Sequence, residues 1–403
     1  MSALNKFFRQ VVGWSFERYG PIRVLFSVVN EIGFLNQAPI IRLMVKDPRF
    51  IVAIVQEEEG ALALSSDGLL SLVSDYEVAK REAQKSIWHY VFVTDVLDLW
   101  LRWPAIGVYL GHGSASGNER AQEVCTPYDQ KMARQSNISI TIVGGPGSIF
   151  GLRELAPELL SRWDKAFFVS GPPKLAQLLL EDVDRGFQLS SLQLKTDAKT
   201  ILIASHWTEM SLLRDIDLAF IESIVREKPH VNVIVTCHPR LLVLKSRDGF
   251  DSTDLRDFLS GLETKYENFA FVQTGDPFYL MRVSDCMLCD HSSIRVEYAL
   301  LTKPVGLYRN PDFRCMLEVT DRLYREASEV FSDGKELNVL IERLLSSDYD
   351  KRCESKKLAE YFVTDPVESA QRIVDIFARL GRVSSTKSKK WKEVKALEAE
   401  LSY

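Results

Sequence analysis

Four of the six histidines in this 403-residue chain, His112, His206, His238 and His291, follow apolar runs that read as buried β-strands. In a parallel α/β sheet the ligand binds beyond the carboxyl ends of the strands, which is where these imidazoles would lie. One histidine at such a position is more often structural. Four of them favour a polar site that handles phosphate.

His112 lies in the glycine-rich segment YLGHGSASGNE. Gly111, Gly113 and the small Ser114 leave room for a ligand to approach the backbone. An imidazole that titrates near neutrality is suited to take a proton from an attacking hydroxyl group. The alternative is a glycine-rich turn in which the histidine has no chemical role.

His238 lies in the segment TCHPR, directly before a proline that ends the predicted strand. A His-Pro pair at this point can direct the imidazole toward a pyrophosphate beyond the strand end. Arg240 is expected either to support that interaction or to face solvent.

The segment CDHSSIRVEYALLTKPVGLY, residues 289–308, combines a strand end with the start of a predicted helix. Ser292 or Ser293 is predicted to cap that helix, and the helix N-terminus with its two hydroxyl groups would also bind an anion. Glu297 lies about one turn further on, where its carboxylate could accept hydrogen bonds from ribose hydroxyls. The alternative for Glu297 is an ordinary solvated helix position.

Several other chemistries are disfavoured. Cys286 and Cys289 have the spacing of a metal or redox pair, but in a strand they would point to opposite faces, and no second pair completes a zinc set. No metal is therefore expected. The sequence contains no GxxxxGK[ST] phosphate loop, no GxSxG nucleophile elbow and no HExxH helix, and the glycines of 144–151 do not match the dinucleotide fingerprint.

The elements that would position these groups form two series of strand-like runs alternating with helix-like segments. The first series comprises 23–29, 50–56, 88–95, 105–112, 138–145 and 165–172, and the second comprises 200–207, 231–239, 268–275, 285–291 and 304–308. This order predicts an α/β protein with two Rossmann-like parallel-sheet domains, 1–195 and 196–381, and a cleft between them as the default site. Helices are predicted to follow the last strand.

Composition limits the class of protein. Hydrophobic residues make up 46% and charged residues 26%, which is typical of a globular protein, and no apolar run reaches the roughly 18 residues that span a bilayer. The start of the sequence does not resemble a signal peptide, and the six cysteines fit reduced, buried thiols, so a cytoplasmic location is expected. A net charge of −5 argues weakly against general nucleic-acid binding.

The predicted basic tail, 382–403, places several lysines around Trp391. They are Lys387, Lys389, Lys390, Lys392 and Lys395. Such a segment could lie against an anionic membrane surface, or it could be simply solvated. The aromatic and basic residues before residue 19 are a second, weaker candidate for membrane contact, and burial against the first domain is the alternative.

Three of these motifs together resemble the CDP-glycerol glycerophosphotransferase family, which includes primases and polymerases of teichoic acid synthesis. HGSASG is similar to the family's HG(T/S) loop, TCHPR to its HP motif, and SDCMLCDHSSIRVEYALLTKPVGLY to its TDYSS segment with the following Asp and Lys-Pro. The resemblance covers about residues 85–310. It implies a GT-B fold with a central cleft, a CDP-linked polyol donor, release of CMP, and no required metal.

The resemblance also implies roles for individual residues. His112 matches the base that activates the acceptor, His238 the histidine that contacts phosphate, and Ser292 and Ser293 the phosphate-binding serines. Glu297 replaces the family's Asp and retains a carboxylate for ribose.

Two positions depart from the pattern: His291 stands where the family has Tyr, and Ser114 begins a run that replaces a more basic continuation. The acceptor implied is a lipid-linked or polysaccharide precursor at the inner membrane surface. Related sheets occur in nucleotide-sugar glycosyltransferases and UDP-sugar 2-epimerases, and fold alone does not separate these classes. A scaffold without turnover is a further alternative.

Overall fold

A computed structural model of the chain describes residues 20–57, 62, 67–95, 101, 103–111, 118–119, 134–243, 250–315, 317–334 and 337–401. The strands are β1 Ile22–Val28, β2 Phe50–Gln56, β3 Tyr90–Val93, β4 Ile106–Tyr109, β5 Asn118–Glu119, β6 Ile138–Val143, β7 Ala166–Val169, β8 Lys199–Ser205, β9 Val231–Cys237, β10 Phe269–Phe271, β11 Cys286–Cys289, β12 Val305–Tyr308, β13 Arg314–Cys315 and β14 Glu329–Phe331.

The helices lie between and after these strands. They are α1 Glu31–Met44, α2 Asp67–Tyr76, α3 Lys80–Lys85, α4 Pro146–Leu155, α5 Pro157–Ser161, α6 Leu175–Leu180, α7 Arg185–Ser191, α8 Leu212–Asp215, α9 Ala219–Glu227, α10 Ser252–Lys265, α11 Phe278–Val283, α12 Ile294–Ala299, α13 Glu318–Glu326, α14 Leu337–Leu345, α15 Arg352–Phe362, α16 Ser369–Leu380 and α17 Trp391–Leu401. A 3₁₀ turn, Pro239–Leu242, follows β9. Among the described residues, no helix is long and apolar enough to cross a bilayer.

The chain forms two units. Among the described residues, the first comprises those within 20–111, 134–176 and 363–401, and the second comprises 118–119 and those within 177–362. Each described unit contains a six-stranded sheet in which every neighbouring pair is parallel. Strands β8, β9 and β11 are buried almost throughout, as expected of parallel strands covered on both faces.

The order of the strands locates the point in each sheet where the connections change direction. In the second unit the order is β10-β9-β8-β11-β12-β14, the doubly wound arrangement, and the change of direction falls between β8 and β11. In the first unit the order is β2-β1-β3-β4-β6-β7, with the change between β1 and β3. Ligands of such sheets bind beyond the strand carboxyl ends at this point.

The boundaries of the units differ from the predicted limits at residues 195 and 381. Residues from 177 onward belong to the second unit because Arg185 in α7 donates hydrogen bonds to Asp285 (2.8 Å) and to the Ala198 carbonyl (2.9 Å). Residues after 362 return to the first unit, where the Phe377 ring of α16 lies 4.7 Å from the ring of Tyr90.

The prediction of a separate tail after residue 381 is also wrong, because Trp391 and its neighbours pack into the first unit. Trp391 at the start of α17 is fully buried in the core of the first unit, and its indole N–H donates to the Trp163 carbonyl at 2.6 Å. Lys395 donates to the Lys165 carbonyl at 2.8 Å. Trp391 is therefore not exposed as an aromatic membrane anchor. The N-terminal candidate, residues 1–19, lies outside the described residues.

Two other local expectations change. The helix-like segment that alternates with the predicted strands at 212–228 is one long run in the sequence, but in the structure it is divided into α8 and α9, and the side chain of Asp217 between them accepts the backbone N–H of Ala219 at 3.0 Å. The sixth strand of the second sheet, β14, was not predicted, because it is only three residues long and alternates in burial at the sheet edge.

Candidate functional site

Three of the predicted histidines converge in the second unit. His206 follows β8, His238 follows β9, and His291 lies two residues beyond β11. These three strands are neighbours in the sheet, so their carboxyl ends bring the side chains together. The ring centroid of His206 lies 5.0 Å from that of His291 and 5.8 Å from that of His238. The imidazoles thus surround the point where the sheet's connections change direction.

Asp290 fixes the ends of the two central strands. It is completely buried, and its Oδ2 accepts hydrogen bonds from Ser205 Oγ at 2.8 Å and from the backbone N–H groups of His206 and Leu212 at 2.9 Å each. Its Oδ1 accepts the backbone N–H of Ser292 at 3.0 Å. One carboxylate therefore holds the backbone beside His206 and that of the serine segment in a fixed relation.

The electrostatics of Asp290 favour its charged form. Burial alone would raise the pKa of this carboxyl. The positive charge of His291 and His206 when protonated, together with the hydrogen bonds from the Leu212 and His206 N–H groups, outweighs burial and holds the pKa below its usual value. Asp290 is thus a carboxylate at neutral pH.

His238 is oriented by the backbone that follows it. Its Nδ1 accepts the N–H of Arg240 at 3.1 Å, at the start of the 3₁₀ turn that begins with Pro239. In a neutral imidazole one nitrogen accepts and the other carries the proton, so the His238 proton lies on Nε2. The side chain therefore presents a fixed N–H donor.

Arg240 supports the site through its backbone and through Trp207. Its guanidinium group lies 4.1 Å from the centroid of the Trp207 ring, a cation–π contact, and the Trp207 ring lies 6.5 Å from that of His238. Arg240 is exposed, in agreement with the expectation that it faces solvent. Its cationic group is thus held against Trp207, whose ring lies near that of His238, without being buried.

The serine segment differs in detail from the prediction. Ser293 occupies the N-cap position of α12, but its side chain makes no capping hydrogen bond, so the capping role predicted for it is wrong. The turn is instead closed by Asp290, through the Ser292 N–H. Ser292 and Ser293 are partly exposed, whereas Glu297 is only 3% exposed. The ribose contact of Glu297 stays a prediction.

Two further side chains complete the cluster. The His291 ring stacks on Phe313 with centroids 5.0 Å apart and an interplanar angle of 22°. Thr208 Oγ1 lies 3.0 Å from His206 Nδ1 and 2.6 Å from His291 Nε2. Neither Thr208 nor Asp290 is among the candidates from the sequence. An acidic residue directly after an apolar strand is a signal for Asp290, but no sequence pattern marks Thr208.

The acceptor-side loop is described only at its beginning. Gly111 has φ +69°, a conformation that favours glycine, and its carbonyl accepts a hydrogen bond from Asn36 Nδ2 at 3.1 Å. Asn36 Oδ1 in turn accepts the backbone N–H of Lys174 at 3.2 Å. His112, Gly113 and Ser114 lie outside the described residues. The peptide bond that leads into His112 is therefore anchored by a buried amide of α1.

We expect Asn36→Ala to lower the free energy of unfolding by about 1–3 kcal/mol, because it leaves a buried carbonyl and a buried N–H group without their partner. Urea denaturation followed by circular dichroism would measure the change. Gln371→Ala, on the exposed surface of α16, is the matched control and should change stability by no more than about 0.5 kcal/mol. Equal effects of the two substitutions would contradict this assignment.

The cysteine pair belongs to the core. Cys286 and Cys289 are fully buried in β11, and burial raises the pKa of both thiols. They are therefore not thiolates poised for metal binding or redox exchange. Within the described ranges, no group of three His, Cys, Asp or Glu side chains has an arrangement that could hold a metal ion.

Comparisons with known proteins reveal similarity at the level of structure. No protein-family profile matches the sequence, and no curated protein is significantly similar to it in sequence. The wall teichoic acid polymerase TagF has a similar structure, with a TM-score of 0.56 and 14% identity over 100% of both chains. A TagF variant soaked with CDPG has a TM-score of 0.55 and 13% identity, over 98% of this chain and 100% of the other.

A UDP-N-acetylglucosamine 2-epimerase is also similar, with a TM-score of 0.52 and 14% identity over 88% of this chain and 95% of the other. Identities this low establish a shared fold and leave the activity open. The predicted α/β fold of the GT-B type, with two Rossmann-like parallel sheets and C-terminal helices, is confirmed.

Proposed function

We propose that the protein is a transferase that moves a polyol-phosphate, such as glycerol-phosphate, from a CDP-linked donor to a hydroxyl of a teichoic-acid-type or surface-polysaccharide precursor, with release of CMP. The observation that carries the proposal is the convergence of His206, His238 and His291 at the switch point of the second sheet. Three imidazoles beside exposed Arg240 suit the binding of a pyrophosphate better than that of an apolar or cationic ligand.

The proposed reaction is a displacement at the β-phosphorus of the donor. The acceptor oxygen forms a bond to that phosphorus, the bond from phosphorus to the bridging oxygen breaks, and CMP leaves with the electron pair. The acceptor proton passes to His112, a role that rests on the family resemblance. His238 donates a hydrogen bond from its Nε2–H group to the phosphate of the departing CMP, where negative charge develops.

The remaining donor contacts are assigned by position. Ser292 and Ser293 lie partly exposed next to His291, so their hydroxyl groups can donate to phosphate oxygens. Glu297 is proposed to bind the ribose. The CDPG in the TagF variant, a protein of the same fold, supports a CDP-linked donor. A lipid-linked acceptor would place the reaction at the inner face of a membrane.

A second candidate is a GT-B glycosyltransferase that uses a nucleotide sugar in surface polysaccharide synthesis. It is favoured by the structural similarity to an epimerase named for a UDP-sugar, and by His291, which stands where the CDP-glycerol family has Tyr. The two candidates differ in the nucleotide that the second unit should prefer.

A thermal-shift comparison of CDP, UDP and GDP tests the proposal. We expect CDP at a hundredfold excess over its Kd to raise the Tm by about 2–5 °C, and UDP and GDP to raise it less. The shift and the turnover of CDP-glycerol with a lipid-linked acceptor should persist in EDTA, because all proposed donor contacts come from side chains. Preference for UDP would favour the glycosyltransferase, and no response to any nucleotide would favour a scaffold without turnover.

A further inference from the structure

Thr208 connects two of the histidines through a single hydroxyl group. It is 6% exposed, and its Oγ1 lies within hydrogen-bonding distance of His206 Nδ1 (3.0 Å) and His291 Nε2 (2.6 Å). A hydroxyl carries one proton, so it can donate to only one of these two nitrogens. The other nitrogen must carry its own proton and donate to Oγ1. The proton positions on the two imidazoles are therefore linked.

The backbone of Thr208 determines which of the two nitrogens accepts the hydroxyl proton. Its N–H group also points to His206 Nδ1, at 3.4 Å. His206 Nδ1 is thus the acceptor, and it receives both the backbone N–H and the hydroxyl proton of Thr208. The His206 proton then lies on Nε2, and His291 donates from its Nε2 to the Thr208 oxygen.

We infer that Thr208 is a positioning residue for the phosphate-binding histidines: it fixes His206 as the Nε2–H tautomer and orders His291 beside it. The inference rests on the proposed function, in which these imidazoles face the pyrophosphate of the donor. It assigns a role to a residue outside the motifs that carry the family resemblance. It also explains how a histidine is accommodated at position 291, since the Thr208 hydroxyl supplies its hydrogen-bond acceptor.

The physical consequence concerns which atom His206 presents to an anion. The Nε2–H tautomer offers a donor to a phosphate oxygen, whereas the other tautomer would offer a lone pair and repel it. The backbone N–H of Arg240 donates to His238 Nδ1 and so fixes the Nε2–H tautomer of that residue as well. In their neutral form the two imidazoles therefore share the same tautomer, preorganised before a ligand binds.

The test compares Thr208→Val, which keeps the shape but removes the hydroxyl, with Thr208→Ser, which retains it. Histidine-selective ¹⁵N NMR of the full chain without ligand would report the tautomers, and isothermal titration with CDP would report affinity. The valine variant keeps only the long 3.4 Å contact from the backbone N–H to His206 Nδ1 and loses the 3.0 Å contact from the hydroxyl group. We therefore expect it to lose the fixed His206 tautomer and to bind CDP about five- to tenfold more weakly, which corresponds to one hydrogen bond. The serine variant should match the wild type in both measurements.

The outcomes separate this inference from the proposed function. An unchanged His206 tautomer in the valine variant would overturn the inference, as would a serine variant that behaves like valine. If the tautomer changes as expected but the wild type does not bind CDP, the positioning role of Thr208 is supported and the CDP donor is wrong. If the valine variant lost its folded NMR spectrum while the serine variant kept it, a purely structural role would be indicated and the inference rejected.

Discussion

Asp290→Ala is expected to lower the free energy of unfolding by about 3–5 kcal/mol and to abolish nucleotide binding, because the substitution removes a fully buried carboxylate that accepts four hydrogen bonds. Three of the four donors are backbone N–H groups, in His206, Leu212 and Ser292. The loss of stability and the loss of binding have one cause, since these donors hold the ends of β8 and β11 in register.

Urea denaturation and CDP titration of the same preparation would measure both effects. The matched control is Asp285→Ala, at the opposite end of β11, where the carboxylate accepts hydrogen bonds from Arg185 and from the backbone N–H of Thr200. This control should also reduce stability but leave the affinity for CDP unchanged. If both variants bound CDP as well as the wild type, Asp290 would have no part in organising the site.

The pH dependence gives an independent check of Asp290. Its pKa lies below the usual value in the folded protein, so the unfolded state binds more protons at acid pH. The stability that this carboxylate contributes is therefore fully present above the unfolded pKa of about 4, and it is lost as the pH falls through the folded pKa. The difference in unfolding free energy between wild type and Asp290→Ala should narrow below about pH 4.

The strands and the histidines were predictable because both depend on local patterns. A parallel strand that is buried on both faces must be a continuous apolar run, and β2 and β9 begin at the predicted residues 50 and 231. A polar residue that ends such a run lies at the ligand-binding edge of the sheet. Position in the chain was thus sufficient to place His206, His238 and His291 at one edge.

The remaining features depend on contacts between residues far apart in the chain. Thr208 bonds to a residue 83 positions away, and the Trp391 indole to a carbonyl 228 positions away, so no local pattern reports either contact. The lysines around Trp391 resemble a membrane-binding segment only while the burial of the tryptophan is unknown. The predicted domain limits differ from the observed units for the same reason: α16 contacts β3, which lies nearly 300 residues earlier in the chain.

His238→Ala is expected to lower turnover about 10²–10³-fold and to weaken CDP binding about tenfold, because it removes a preorganised donor from the phosphate on which charge develops. The larger effect on turnover follows from the reaction, since the bridging oxygen gains charge only as CMP departs. Measurement of kcat and of the affinity for CDP would separate the two effects. His112→Ala, which removes the proposed base, should abolish turnover and retain CDP binding.

The matched control for this substitution is the histidine at the other end of β9. His230 is exposed directly before β9, and His238 directly follows it. The two histidines therefore lie at opposite ends of the same strand. His230→Ala should leave both kcat and CDP affinity unchanged, because the ligand-binding edge of a parallel sheet is the carboxyl edge alone. If His238→Ala also left kcat unchanged, stabilisation of the departing phosphate would have to come from another group, and the proposed reaction at the three histidines would be wrong.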